Sequence, residues 1–253
     1  METLTFIGNG NMALSIAQKL KENYKIEVVG RDMDKLKHFE KALDCPVEKY
    51  LMEGFDISNK ALILCVKPNN VEAVSALFKG TAKSLYSVLA GTTLQKLKTH
   101  FRTEATVRTM PNLAASVGAS MTSITGDTLL KDKALEIFSS IGQTLWLDSE
   151  KELDIATALA GSGPAYLALI AEALADGAVK QGLKREYAMA TMRGLFEGFG
   201  LLIQDVHPAL LKDAVMSPGG TTAAGYAALE EGQVRASCIH AIDEAYKKAK
   251  ALA

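Results

Sequence analysis

Two glycine-bearing stretches carry the residue types that could do chemistry. Near the carboxyl terminus stands Ser217-Pro218-Gly219-Gly220-Thr221-Thr222, followed by the small-residue run Ala223-Ala224-Gly225-Tyr226-Ala227-Ala228-Leu229. Proline fixes one backbone angle, and paired glycines reach conformations closed to other residues. The two threonines are N-cap candidates for the helix that the alanines favour. Such a loop aims free backbone N–H groups at one spot, at the positive end of a helix dipole. No Lys or Arg lies within it, so the anion it suits is a small carboxylate rather than a polyphosphate. A glycine-rich turn between two helices uses the same residues, and the rest of the chain has to separate the two readings.

The second stretch is Gly8-Asn9-Gly10-Asn11-Met12-Ala13, entered directly from the apolar run Leu4-Thr5-Phe6-Ile7. Met12, Ile16, Ala17 and Leu20 then repeat at helical spacing, and Lys25–Val29 supplies a second strand. Strand, glycine turn, helix and strand form the context that the dinucleotide fingerprint G-x-G-x-x-G/A requires. Gly8 makes the tight turn, Gly10 lets the backbone approach a pyrophosphate, and Ala13 packs helix on strand. The second strand ends Val28-Val29-Gly30-Arg31-Asp32. Arg31 favours the 2′-phosphate of NADPH, while Asp32 either caps the next helix or competes for a ribose, which keeps NADH open.

Further strands are expected at Ala61–Val66, Ser84–Leu89, Ala105–Thr109 and Thr144–Leu147. Helices are expected over Lys35–Leu43 and, after the strand exit Lys67-Pro68-Asn69-Asn70, through Leu77. Each strand exits into a small or polar turn, where open α/β sheets bind ligands. At one exit Lys67 serves either as a cofactor contact or as a solvated lysine, and Trp146 reads as core. Beyond Asp148 the strand signals stop. A long helical region from Lys151 to about Gly182 reads as broken at Gly161-Ser162-Gly163-Pro164, and helices follow at Arg185–Gln204, Ala209–Val215, Thr222–Glu231 and Val234–Leu252. The expected architecture is thus an α/β Rossmann-type domain over residues 1–150 followed by an all-α domain over 151–253. Helices apolar around much of their circumference bury the excess against something, most simply a second subunit.

Composition narrows the remaining classes. The 253 residues carry 28 Lys and Arg against 29 Asp and Glu, which gives no electrostatic reason to bind nucleic acid. Cys45, Cys65 and Cys238 have no CxxC spacing and read as reduced cytosolic thiols. The four histidines form no ligand-like pair, so no metal is expected. The amino terminus has no export signal, and the apolar stretch around Tyr166–Val179 carries Glu172 and Asp176 and reads as too short and polar to span a bilayer. A cytoplasmic protein is expected.

Taken together, these residues resemble the pyrroline-5-carboxylate reductase family over the whole chain. The resemblance rests on Phe6-Ile7-Gly8-Asn9-Gly10-Asn11-Met12, Val66-Lys67-Pro68, Ala90-Gly91-Thr92, Met110-Pro111-Asn112, Gly161-Ser162-Gly163-Pro164-Ala165-Tyr166, Ala173-Leu174-Ala175-Asp176-Gly177 and Ser217–Thr222. The first motif is common to many dehydrogenases, whereas the last two in this order are specific. Ala13 stands where the family often has glycine. Met216 and Tyr226 replace a small and an aliphatic residue, and Ala214 stands where some relatives carry a substrate-contacting asparagine.

The resemblance implies an NAD(P)H-dependent reduction of a cyclic imine to L-proline. It also implies a helical domain that forms a homodimer, a substrate site shared across that dimer, and possible assembly into a decamer. On this reading Ile7, Gly8, Asn9, Gly10, Asn11, Met12, Arg31, Val66, Lys67, Pro68, Ala90 and Gly91 serve the cofactor. The N–H groups of Gly219, Gly220 and Thr221, with Ser217, hold the substrate carboxylate. Thr222 orients the ring nitrogen or relays a proton, and its competing role is a helix cap. Gly161–Pro164 corresponds to the family's interdomain segment and equally suits close helix packing. Two rivals stand beside this reading: another Rossmann-type imine or hydroxyacid reductase, and a non-catalytic NADP-binding sensor. A hydroxyacid enzyme would usually carry a lysine where this chain has Gly161–Pro164, and a sensor has no reason to keep the Ser217–Thr222 loop.

Overall fold

The computed structural model describes residues 1–252, which fall into two compact units. The first is Met1–Ser162 together with the end of the last helix from Ala245, and the second is Gly163–Glu244. The sequence boundary at 150/151 lies within the first of these.

Eight strands form the sheet of the first unit: β1 Thr3–Ile7, β2 Lys25–Gly30, β3 Glu48–Leu51, β4 Ala61–Leu64, β5 Ser84–Ser87, β6 Thr106–Met110, β7 Ser120–Gly126 and β8 Gly142–Trp146. Their spatial order is β3-β2-β1-β4-β5-β6-β7-β8, and every neighbouring pair is parallel except β6 with β7. Helices α1 (Asn11–Leu20), α2 (Met33–Leu43), α3 (Val71–Ser75), α4 (Leu94–His100) and α5 (Lys131–Ser139) cover its two faces. Successive strand residues serve opposite cores, as the pleat requires. Leu4 and Phe6 pack with Ile16 and Leu20 of α1, whereas Ile7 packs with Val71 of α3 and Leu97 of α4.

Two strands were not expected from the sequence. β3 is an edge strand, Glu48-Lys49-Tyr50-Leu51, with no buried residue to produce an apolar pattern. β7 is largely buried but reads Ser120-Met121-Thr122-Ser123-Ile124-Thr125-Gly126, so its hydroxyls disguise it. They are satisfied internally: Thr125 Oγ1 donates to the Leu147 carbonyl at 2.9 Å. The expected termini shift by a few residues, and Trp146, on the edge strand β8, is half-buried rather than core.

Arg108, in the middle of β6, is fully buried. Its Nη1 donates to Glu150 Oε1 and its Nη2 to Asp154 Oδ1, both at 2.8 Å. Both carboxylates lie on α6 (Glu150–Ala156), a helix started by a capping box between Ser149 and Glu152. Glu150 also accepts from the Leu94 amide at 2.8 Å, so one carboxylate joins the strand, α4 and α6.

The expected break at Gly161-Ser162-Gly163-Pro164 does not occur. A π turn, Thr157–Gly161, continues α6 into α7 (Gly163–Lys180), with the Ser162 amide bonded to the Thr157 carbonyl at 3.1 Å. Glu150–Lys180 is therefore one helical stretch, long and apolar enough by length and composition to cross a membrane. That corrects the sequence reading, which shortened it by assuming a break.

In the second unit α7 turns into α8 (Arg185–Leu202) through a Schellman motif. Gly182 adopts φ +101°, its amide reaches the Val179 carbonyl, and the Leu183 amide reaches that of Ala178. α9 (Pro208–Val215), α10 (Thr221–Glu231) and α11 (Val234–Leu252) complete the chain. Large apolar side chains along these helices, among them Leu167, Leu195, Leu201 and Ile239, are more than half exposed in a single copy.

Removing one carboxylate from the Arg108 cluster strands part of a buried charge, which is costlier than losing an exposed ion pair. Asp154→Ala is expected to lower unfolding stability by about 3 kcal/mol, read as a shifted urea midpoint with an unchanged slope.

Candidate functional site

A cavity of about 850 Å³ runs along the carboxyl ends of the strands, touched in spatial order by the exits of β2, β1, β4, β5 and β6. At its centre Gly8 adopts φ +106° and donates its amide to Val29 O at 2.8 Å. A Cβ on Gly8 would lie 2.9 Å from the Cys65 carbonyl, so the turn requires glycine. Gly10 is the N-cap of α1 and supplies no side-chain cap. The first helical bond runs from Leu14 to the Gly10 carbonyl at 3.0 Å, which leaves the Asn11, Met12 and Ala13 amides ahead of it. A Cβ added at Gly10 would meet nothing within 4 Å. That position is open space at the amino end of α1, beside the cavity that Gly10 lines.

At the β2 end Asp32 takes the capping role. Its Oδ1 accepts from the Asp34 and Lys35 amides at 2.9 and 3.1 Å, capping α2. Arg31 lines the cavity beside it, and so does Lys35, which the sequence reading passed over. The signal for Lys35 was its position four residues past Arg31, on the first turn of the capped helix. Gly30 matters for packing here, since a Cβ would lie 2.8 Å from Leu36 Cδ2.

Cys65, Val66, Lys67 and Pro68 form the wall at β4. Burial pushes the Cys65 thiol well above its ordinary pKa, so it stays neutral and unreactive. Val88, Leu89 and Ala90 follow at β5, and Met110 and Pro111 at β6. Asn9, Gly10, Asn11 and Met12 also line the cavity, whereas Ile7 is fully buried in the core and Gly91 lies just beyond the wall. Arg31, Lys35 and Lys67 face this space without an ion-pair partner among the described residues, and Asp32 is the one carboxylate in the wall. Room, free amides and excess positive charge together fit a nicotinamide dinucleotide carrying several phosphates.

The second unit holds the other glycine loop. Pro218 and Gly219 occupy the centre of a turn closed by the Gly220 amide on the Ser217 carbonyl at 3.0 Å, with Gly219 at φ +69°. Pro then Gly with positive φ is the type II pattern. Two expectations need correction. The N-cap of α10 is Gly220, with no side-chain cap, so Thr221 and Thr222 are the first two helical residues instead of caps. The Gly220 amide is also spent inside the turn. The first helical bond runs from Ala224 to Gly220, so the amides of Thr221, Thr222 and Ala223 stand ahead of it. Both threonine side chains are exposed.

These features define a class: an oxidoreductase with a Rossmann-type dinucleotide-binding unit and a separate helical unit. The pyrroline-5-carboxylate reductase dimerisation domain matches residues 150–252, and an NADP oxidoreductase domain described as coenzyme F420-dependent matches residues 3–91. The pyrroline-5-carboxylate reductase of Synechocystis is 37% identical, with 98% of this chain and 97% of that protein covered. The solved 1-pyrroline-5-carboxylate reductase of Streptococcus pyogenes is 33% identical at a TM-score of 0.85, with 98% of each chain covered. That of Plasmodium falciparum, solved with NADP bound, is 26% identical at 0.81, covering 99% and 98%. The chain belongs to the pyrroline-5-carboxylate reductase family.

The open space at Gly10 makes a clean test. Gly10→Ala is expected to leave the melting temperature within about 2 °C while weakening NADPH binding at least tenfold by fluorescence titration, because the added methyl meets ligand rather than protein.

Proposed function

We propose that this chain reduces 1-pyrroline-5-carboxylate to L-proline with NADPH as preferred donor, the last step of proline biosynthesis. The observation that carries the reading is a pair of unlike anion sites, each at a glycine-capped helix. Gly10 is attended by Arg31, Lys35 and Lys67, as a polyphosphate needs, whereas the Ser217–Thr222 loop contains no cation and suits a single carboxylate.

When bound, a nicotinamide cofactor would supply the hydride for the imine carbon, and the proton for the ring nitrogen would come from water, directly or relayed by the Thr222 hydroxyl. Among this chain's residues, Asn11 and Met12 offer amides to the pyrophosphate, while Arg31 with Lys35 holds the 2′-phosphate. Ser217, Gly219 and Thr221 grip the substrate carboxylate. Thr222, relieved of any capping duty, presents its hydroxyl to the ring nitrogen. An iminium is already electrophilic, so holding the two reactants in line can supply roughly 7–11 kcal/mol of the barrier without a strong acid or nucleophile.

Residues 151–253 serve in this reading as the substrate-binding and dimerisation domain. The exposed apolar helices become the homodimer interface in place of a membrane contact, and dimers assemble further into a decamer. Three free thiols suit a reducing cytosol.

NADPH oxidation followed with pyrroline-5-carboxylate tests the activity, and binding without oxidation would leave only a sensor. Thr222→Ala is expected to lower kcat at least tenfold with little change in melting temperature. Unchanged kcat would remove the threonine from the mechanism. Arg31→Ala is expected to raise KM for NADPH about 10- to 100-fold and leave that for NADH nearly unchanged, since a charged hydrogen bond is worth about 1.5–3 kcal/mol.

A further inference from the structure

We infer that Asn112 is a positioning residue for hydride transfer: its side-chain amide ties the π turn Thr157–Gly161 to the end of the cofactor cavity where the nicotinamide is delivered. The inference rests on the cofactor reading above. The cavity follows the strand order, and Arg31 and Lys35 fix the adenosine end at β2. Gly10 takes the pyrophosphate at β1, so the nicotinamide falls beyond β4, toward Ala90, Met110 and Pro111. Asn112 is the residue immediately after that wall.

Each polar group of Asn112 has one job. Its backbone amide donates to Ser120 Oγ at 3.0 Å, and Oδ1 accepts from the Ala114 amide at 3.0 Å, capping the 3-10 turn Leu113–Val117. Nδ2 donates to the Ala160 carbonyl at 3.1 Å. That last bond answers a defect written in the sequence. The helical donor to Ala160 should come from residue 164, which is proline and has no N–H. Asn112 supplies the missing donor from the position directly after the cavity wall. Arg108, four residues earlier on β6, holds the start of the same helix through Glu150 and Asp154. The segment leading to Gly161-Ser162-Gly163-Pro164 is thus pinned at one end to β6, through Arg108, and at the other to the turn that leaves β6, through Asn112.

Asn112→Asp and Asn112→Ser separate this role from plain capping. Either residue can still cap the 3-10 turn, but aspartate sets an oxygen against the Ala160 carbonyl and serine is too short to reach it. Serine also controls for the new charge. We expect both variants to lose at least tenfold in kcat, with KM for NADPH within threefold of wild type and a larger primary isotope effect with NADPH deuterated at the transferred position. Wild-type kcat in either variant overturns the inference, as does a loss of kcat with an unchanged isotope effect. If a variant does not fold, the other decides. If neither folds, Asn112 is structural and the inference fails. An inactive wild-type enzyme would instead refute the proposed reaction.

Discussion

A helix entered through glycine cannot satisfy its own first amides, and this molecule uses that constraint twice. At Gly10 and at Gly220 no side chain folds back to cap the helix. Asp32, Thr93, Asn112, Ser149 and His207 do so at other helical turns, while α3, α5 and α8 start without a side-chain cap but from residues other than glycine. The unpaired N–H groups are what each end offers to an anion, and the surroundings decide which kind it suits. Around Gly10 stand three cations and a long cavity, whereas Gly220 belongs to a tight turn, Ser217–Thr222, that contains no charged residue.

Keeping the Gly10 end open requires the sheet behind it to be rigid. Gly8 turns so tightly that the Cys65 carbonyl leaves no room for a side chain, and Gly30 lets Leu36 close onto β2. Farther along, the buried guanidinium of Arg108 joins β6 to α6 through two carboxylates. A charge buried this way contributes little net stability against an apolar replacement of equal shape, but it tolerates only one register of helix on strand. Asn112 adds a neutral tether at the other end of that helix, where Pro164 has removed the ordinary donor.

Particular residues show where the sequence could be read and where it could not. Ala61-Leu62-Ile63-Leu64 announces a strand buried on both faces. The run Ser120-Met121-Thr122-Ser123 does not, since a polar side chain that finds its partner inside looks the same in sequence as one facing water. β3 was missed for the opposite reason, being an edge strand without a buried residue. The glycine–proline run at Gly161–Pro164 was read as a break because proline removes a donor. The chain kept its helix by widening one turn and borrowing a hydrogen bond from Asn112, a residue 48 positions from Ala160.

By itself the sequence determined the Rossmann-type and helical units, the glycine turns and the family. Each of these is a local pattern, legible because backbone freedom, periodicity and charge are properties of neighbouring residues. Tertiary structure alone decided the rest: Asp32 caps α2, Lys35 faces the cavity, the Gly220 amide is consumed by its own turn, and Arg108 and Asn112 hold the helix beyond the sheet. A hydrogen bond forms where donor and acceptor meet in space, and no spacing along the chain records which distant groups the fold will bring within 3 Å.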